Sequence, residues 1–278
     1  MPITVLIVLG FSVPHPALAQ QWQGRSIHVF AGSVINPALE ELGRSFEQST
    51  GARVYVSLGG SGALLSQLEL ARRGDIYLPG SSDYMEKAKR RGLVEAQTEV
   101  RLAYLIPAIN VAKGNPRKIR TLKDLTRPGL RVGIARPDAV CVGLYAVENL
   151  TAQGLDAAVR PNIVNFAESC QKTAQMLSLG LVDAVLGWAV FSQWEPDRIE
   201  TVFLAPAEVS RIGYIPAALT TFSEENEIAR GFLKHLMTPQ AKAVLKKHGY
   251  LVDIEAARSH ATPQTPVGGE LPLPAGWE

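Results

Sequence analysis

An α/β protein of two domains is what this sequence predicts, and three observations predict it. From Ile27 onward, short apolar runs alternate with helical periods, and a sheet covered by helices is the layered solution to that pattern. After an extended and looping stretch at residues 101 to 117, a second block repeats the same grammar. The chain has 278 residues, 46 % of them hydrophobic, which suits about two domains of ~100 to 200 residues each.

The first nineteen residues read as an export signal. The apolar run ITVLIVLGFSV is followed by Pro14 and Pro16 and then Ala17-Leu18-Ala19, so cleavage is expected after Ala19. No Lys or Arg precedes the run, and the run is shorter than the ~20 residues of a membrane span. A protein that is soluble in an exported compartment, or tethered there by something outside the sequence pattern, is expected.

In the first block, IHVFAGS is a strand. Asn36 as cap and Pro37 at the first helical position then open a helix through Leu39, Leu42 and Phe46 to Gly51. ARVYVSLGG is the next strand. It stops at Gly59-Gly60-Ser61-Gly62, where a helical period of Leu64, Leu65, Leu68 and Ala71 begins at once. DIYLPGS, residues 75 to 81, is a third strand, followed by a basic amphipathic helix from Asp83 to Arg91.

In the second block, GLRVGIARPDAV is strand and loop. A helix from about Gly143 to Gln153 follows, then one from Ser169 to Leu179, and LVDAVLG is a strand. EVSRIGYIPAALT, residues 208 to 220, is extended again. Two helices come next: one after Ser223 running to His235, and one opened by Thr238-Pro239 that ends in Lys246-Lys247-His248-Gly249, basic charge where the helix dipole favours it. The stretch from Thr262 is rich in Pro and Gly without periodicity, and an extended or disordered appendage is expected.

Composition and motifs exclude several classes. With 28 basic against 26 acidic residues the net charge is +2, far from a nucleic-acid footprint. The chain has neither a G-x-G-x-x-G fingerprint in the right context nor a Gly-Lys-Ser/Thr loop. It has no G-x-S-x-G elbow, and its histidines have no evident nucleophile partner, so hydrolase chemistry is not expected. Asp75 and Asp183, at strand edges, are expected to orient turns, and Tyr145 either lines a cleft or sits in the core.

The chemistry lies at strand-to-helix junctions. The first N–H groups of a helix have no partner within it and carry partial positive charge, which makes such a turn an anion site. Ser61 adds a hydroxyl there; its bland alternative is a helix cap in a tight glycine turn. Ser33 in FAGSVINP, Val142-Gly143 in RPDAVCVGL and Cys170 in AESCQKT stand in the same context, and Arg136 and Lys172 are nearby but outside the turns. A site of neutral donors stabilises a fully deprotonated anion and penalises one that keeps a proton. Cys141 and Cys170 are the two cysteines. An even count in an oxidising compartment favours a disulfide between them, with two separate buried thiols and a soft-metal site as alternatives.

The stretches VFAGSVINPALEELGRSFEQSTG, GGSGALLSQLELARRGDIYLPGSSDYMEKA, RPDAVCVGLYAVENL and MTPQAKAVLKKHGY together resemble the molybdate/tungstate-binding proteins of ABC importers, over about residues 27 to 252. The resemblance implies a periplasmic-binding-protein type II fold. Residues 20–104 and 213–261 would form one discontinuous domain and 105–212 the other. Crossover strands near Tyr104 and Tyr214 would join them, and 262–278 would be a Pro/Gly-rich tail. It implies a monomer, not an enzyme, that captures molybdate or tungstate between the domains and delivers it to an ABC permease in the inner membrane. No cofactor or resident metal is implied. By position, Ser33 and Ser61 match the two serines that hold the oxyanion, Val142 and Cys170 fall where backbone amides donate, and Trp188 falls where some members place a Tyr hydroxyl. The sequence departs from the pattern at Trp188, at Pro79-Gly80 where Ser-Ala is usual, and in placing both cysteines in the ion-facing loops. Those departures admit another oxyanion or a small organic anion, and a periplasmic ligand sensor would use the same fold.

Overall fold

The computed structural model describes residues 21–277, so the export signal and its cleavage point lie outside the described residues. Two five-stranded sheets carry the structure. The first contains β1 (Ser26–Gly32), β2 (Arg53–Gly59), β3 (Ile76–Leu78), β4 (Val100–Leu105) and β10 (Gly213–Leu219), in the order β2-β1-β3-β10-β4. The second contains β5 (Pro107–Ala112), β6 (Val132–Ala135), β7 (Ile163–Ala167), β8 (Ala184–Trp188) and β9 (Ile199–Phe203), in the order β7-β6-β8-β5-β9.

The two orders are the same design. In each sheet three strands run parallel, and the fourth in the order is antiparallel and has just crossed from the other sheet. β4 passes into β5 through Ile106 alone, and Tyr104 faces Tyr214 across the β4–β10 pair. The helices α1 (Asn36–Thr50), α2 (Ser61–Ala71), α3 (Ser82–Arg90), α8 (Asn226–Leu236) and α9 (Pro239–Lys247) accompany the first sheet. The helices α4 (Cys141–Ala152) and α6 (Cys170–Ser178) and the short α5 (Asp156–Val159) and α7 (Phe191–Trp194) accompany the second. The expected architecture of two helix-flanked sheets is thus present.

Local chemistry differs from expectation at three helix starts. Asn36 makes no capping bond; a 3-10 turn, Ser33–Ile35, precedes α1 and takes up the entry. Ser61 is the first residue of α2 rather than its cap, and Gly60 holds the extended cap position. α4 starts at Cys141, two residues earlier than the glycine signal suggested, because Val140 is already the extended cap. Gly143 is required for packing rather than for the turn, since a Cβ there would collide with the Ala135 carbonyl. Thr238 caps its helix as expected, accepting a hydrogen bond from Ala241 N–H at 3.2 Å.

One apolar cluster runs from Val29, Ile35 and Leu64 beside the first sheet through Cys141, Val142, Tyr145, Cys170 and Trp188 of the second. A second cluster, with Ile109, Leu122, Ile134 and Leu150, lies within the second lobe.

The tail has no regular structure, but it is not a free appendage. Ile212 and Val267 form a parallel bridge, Ser82 Oγ donates to Gly269 O at 2.8 Å, and Arg90 pairs with Glu270. Trp277 then enters the second cluster, with the Arg160 guanidinium 3.9 Å from its ring centroid. The segment therefore ties α3 of one lobe to the core of the other, through contacts with residues far back in the chain that its composition does not reveal. Trp277→Ala should remove about 3 kcal/mol of stability, by analogy with other buried-Trp truncations. Chemical unfolding checks this, and an unchanged midpoint would mean that the tail end is only laid on the surface.

Candidate functional site

In open α/β sheets, ligands bind beyond the carboxyl ends of the parallel strands, where the strand order reverses. Here those ends belong to both sheets and meet. Gly32 ends β1 and Ser33 follows it, Gly60 and Ser61 follow β2, and Pro79-Gly80 follows β3; opposite them, Cys141 opens α4, Cys170 opens α6, and Trp188 closes β8. Each junction puts a helix N-terminus or a strand end at a shared interface.

All five residues matched to the ligand are buried: Ser33, Ser61, Val142, Cys170 and Trp188. The structure brings them together. Ser33 Oγ accepts from Gln171 N–H at 3.3 Å, joining the first junction of one lobe to the start of α6 in the other. Ser61 Oγ accepts from Gly80 N–H at 3.0 Å, so its hydroxyl serves the neighbouring strand end and not its own helix. Tyr77 Oη donates to Ser61 O at 2.9 Å and fixes that turn from beneath. Two further contacts close the lobes on each other: Gly62 N–H donates to Ala139 O at 2.9 Å, and Gly60 lies so near Glu168 O that a Cβ would stand 2.6 Å from it.

Cys141 and Cys170 are free thiols with sulfurs 3.9 Å apart, where a disulfide needs about 2.05 Å. The bond expected from the even cysteine count is not formed; the helix starts hold the sulfurs in contact only. Cys141 Sγ packs under Gly80, where a Cβ would meet it at 2.7 Å. The Pro79-Gly80 departure thereby gains a reason, because a larger residue would exclude the thiol. Burial first, then the Cys141 neighbour, push the Cys170 thiol well above its ordinary pKa, while the Trp188 indole and Val142 N–H pull it the other way. Even so, Trp188 Nε1 has no partner within hydrogen-bond geometry.

The site carries no uncompensated cation. Arg136 pairs with Asp138 at 2.6 Å and Lys172 with Glu168 at 2.7 Å; both cations line an outer cleft of about 550 Å³ that reaches Ser33 and Gly60. Asp75 and Asp183 orient turns as expected: Asp75 accepts from His28 N–H and Ser223 Oγ, and Asp183 from Arg131 N–H. Among the described residues, no group of three or more His, Cys, Asp or Glu could hold a metal ion, and no helix is long and apolar enough to cross a membrane.

Sequence reasoning missed one constellation behind the site. Arg211, 1 % exposed, donates to Asp83 of α3 at 2.9 Å and to Glu148 of α4 at 2.6 Å, and also to the tail carbonyl of Gly269. Its guanidinium lies 4.2 Å from the centroid of Tyr145, whose ring meets Trp188 edge-on at 4.7 Å. Tyr145 is therefore core, wedged between an interlobe ion cluster and the candidate ligand residue. No local signal announced it, since Arg211 reads as one charge in an extended run and its partners lie 128 and 63 positions away.

Two helix-flanked sheets of one design, joined by crossing strands and meeting at helix N-termini, are the architecture of a solute-binding protein. The match of residues 27–251 to the bacterial extracellular solute-binding protein family makes the chain a member of that family. A putative binding protein of Haemophilus influenzae is 28 % identical over 184 residues, covering 66 % of this chain and 71 % of that one. The molybdate-binding protein ModA of Mycobacterium bovis is 33 % identical over 143 residues, 51 % of this chain and about half of its own length, at 54 %. ModA of Rhodobacter capsulatus is 22 % identical over 248 residues, 89 % of this chain and 94 % of that one. The resemblance to molybdate-binding proteins is borne out by these relatives. Among solved structures, the periplasmic molybdate-binding protein of Azotobacter vinelandii superposes with a TM-score of 0.70 at 21 % identity, covering 82 % of this chain and 99 % of that one. The sulfate-binding protein SubI of Mycobacterium tuberculosis superposes with a TM-score of 0.74 at 18 % identity, covering 87 % and 94 %.

Proposed function

We propose that this protein is the exported, periplasmic binding component of an ABC importer and captures a tetrahedral oxyanion, molybdate or tungstate, between its lobes. Residues 20–104 with 213–261 would act as one domain and 105–212 as the other, closing about the crossings near Tyr104 and Tyr214 by a hinge motion. The supporting observation is the convergence of Ser33, Ser61, Val142 and Cys170 at helix starts from both lobes with no free cation among them. Neutral donors of this kind compensate a buried dianion through many dipoles and discriminate against any ligand that retains a proton. The proteins named molybdate-binding among the relatives support the same ligand class. Acting alone, the monomer would hand the anion to a permease, with no bond made or broken.

Calorimetric titration with molybdate, tungstate, sulfate and phosphate tests the reading. Heat with the first two alone is expected. Heat only with sulfate would move the assignment to another oxyanion. Silence with all four would end the oxyanion assignment. Ser61→Ala should weaken molybdate binding by about 1 to 3 kcal/mol, since a hydroxyl donor to a buried charge is lost. An unchanged affinity would leave Ser61 as no more than the acceptor for Gly80 N–H.

A further inference from the structure

We propose that Cys141 and Cys170 form a dithiol site that captures a trivalent arsenic oxyacid in the same cleft. The inference rests on the reading of this cleft as the ligand site. The two sulfurs stand 3.9 Å apart at the starts of two helices, both buried and neither bonded to the other. A single pyramidal centre bonded to both at about 2.3 Å, the zinc–sulfur length, with an angle of about 100° holds the sulfurs about 3.5 Å apart. The pair stands a few tenths of an ångström wider, a gap that rotation of the two side chains closes without a backbone shift.

Which centre fits follows from charge. A divalent cation would need both sulfurs as thiolates and at least one more ligand, and the described residues supply no His, Asp or Glu to make such a group. Burial also pushes the Cys170 thiol well above its ordinary pKa, which disfavours a thiolate there. Trivalent arsenic hydroxide asks for none of this. It is neutral and reacts with neutral thiols: As(OH)3 + 2 RSH gives (RS)2As–OH + 2 H2O. Two As–O bonds break and two As–S bonds form, each departing hydroxide leaves as water with a thiol proton, and arsenic stays trivalent. No oxidant or reductant enters. The hydroxyl left on arsenic is small and polar, and the partnerless Trp188 indole N–H beside Cys170 is a donor with nothing else to bond.

Access requires the lobes to part, because the Pro79-Gly80 turn of one lobe covers Cys141 of the other. Capture should therefore be slowed by bound molybdate. The test uses the full exported chain with sodium arsenite as probe. Native mass spectrometry is expected to show one arsenic per chain, and the titratable thiols to fall from two to none. Cys141→Ser and Cys170→Ser should each bind at least about 100-fold more weakly, since a chelate becomes a single bond; circular dichroism confirms that each variant folds. Three results would overturn the proposal: no adduct on a protein with two titratable thiols, equal uptake by the single-cysteine variants, or a disulfide in the isolated protein. A molybdate heat without an arsenite adduct sinks the dithiol site and spares the oxyanion reading. An arsenite adduct without a molybdate heat does the reverse.

Discussion

Arg211→Met is expected to lower the unfolding free energy by about 3 to 5 kcal/mol near neutral pH, the usual cost of removing one partner from a buried ion cluster. The guanidinium is all but inaccessible and is shared by Asp83 of one lobe and Glu148 of the other. Met would fill much of the volume but leave two carboxylates buried with no counter-charge. Urea unfolding of the variant measures the effect, and a loss under about 1 kcal/mol would show that water reaches the cluster.

The same cluster carries a pH dependence. Burial above all raises the Glu148 carboxyl to about 7 from an ordinary 4.5, with the Asp83 charge adding to the rise and Arg211 opposing it. One guanidinium cannot neutralise two carboxylates. An acid whose pKa is raised by folding stabilises the fold in its protonated form. That contribution is complete below about 4.5 and is lost as pH rises through about 7. The wild-type protein should lose on the order of 2 to 3 kcal/mol between pH 5 and pH 8 from this group, and Glu148→Gln should lack that part of the slope. Parallel stability curves for the two proteins would refute it.

Gly60→Ala is expected to weaken anion binding at least about tenfold while shifting the thermal midpoint by only a few degrees. Gly60 has φ −70° and ψ 141°, which alanine adopts freely, so neither lobe is strained by itself. The added Cβ would stand 2.6 Å from Glu168 O and 3.1 Å from Val140 Cγ2, both in the opposite lobe. The backbone carbonyl cannot rotate away as a side chain can, so the lobes must separate. Separation pulls the Ser33 and Ser61 hydroxyls away from the helix starts of α4 and α6. Calorimetry with molybdate together with a melting curve reads both quantities; wild-type affinity in the variant would show that ligand capture does not need this closure.

Much of this was readable before any coordinates. The strand-to-helix junctions at Ser33 and Ser61 were visible because glycine, a hydroxyl and a change from alternating to helical period occur together within a few residues, and the one at Cys170 because the period changes at AESCQKT. The role of Ser61 was not, because a serine at a helix start looks the same whether it caps its own helix or reaches Gly80 at 3.0 Å. The packing of the tail was hidden for a related reason. Low periodicity measures what a segment does alone, whereas Trp277 and Val267 are ordered by cores and strands built elsewhere in the chain.

By itself the sequence determined the two-block α/β plan, the positions of the neutral donor turns, and the lack of charge within them, because periodicity, turn chemistry and charge are local properties of neighbouring residues. Only the tertiary structure decided that the two thiols touch without bonding, that Gly80 makes room for one of them, and that Arg211 joins carboxylates from both lobes behind Tyr145 and Trp188. Those arrangements depend on distances between residues tens to more than a hundred positions apart, and such distances exist only once the sheets have formed and packed.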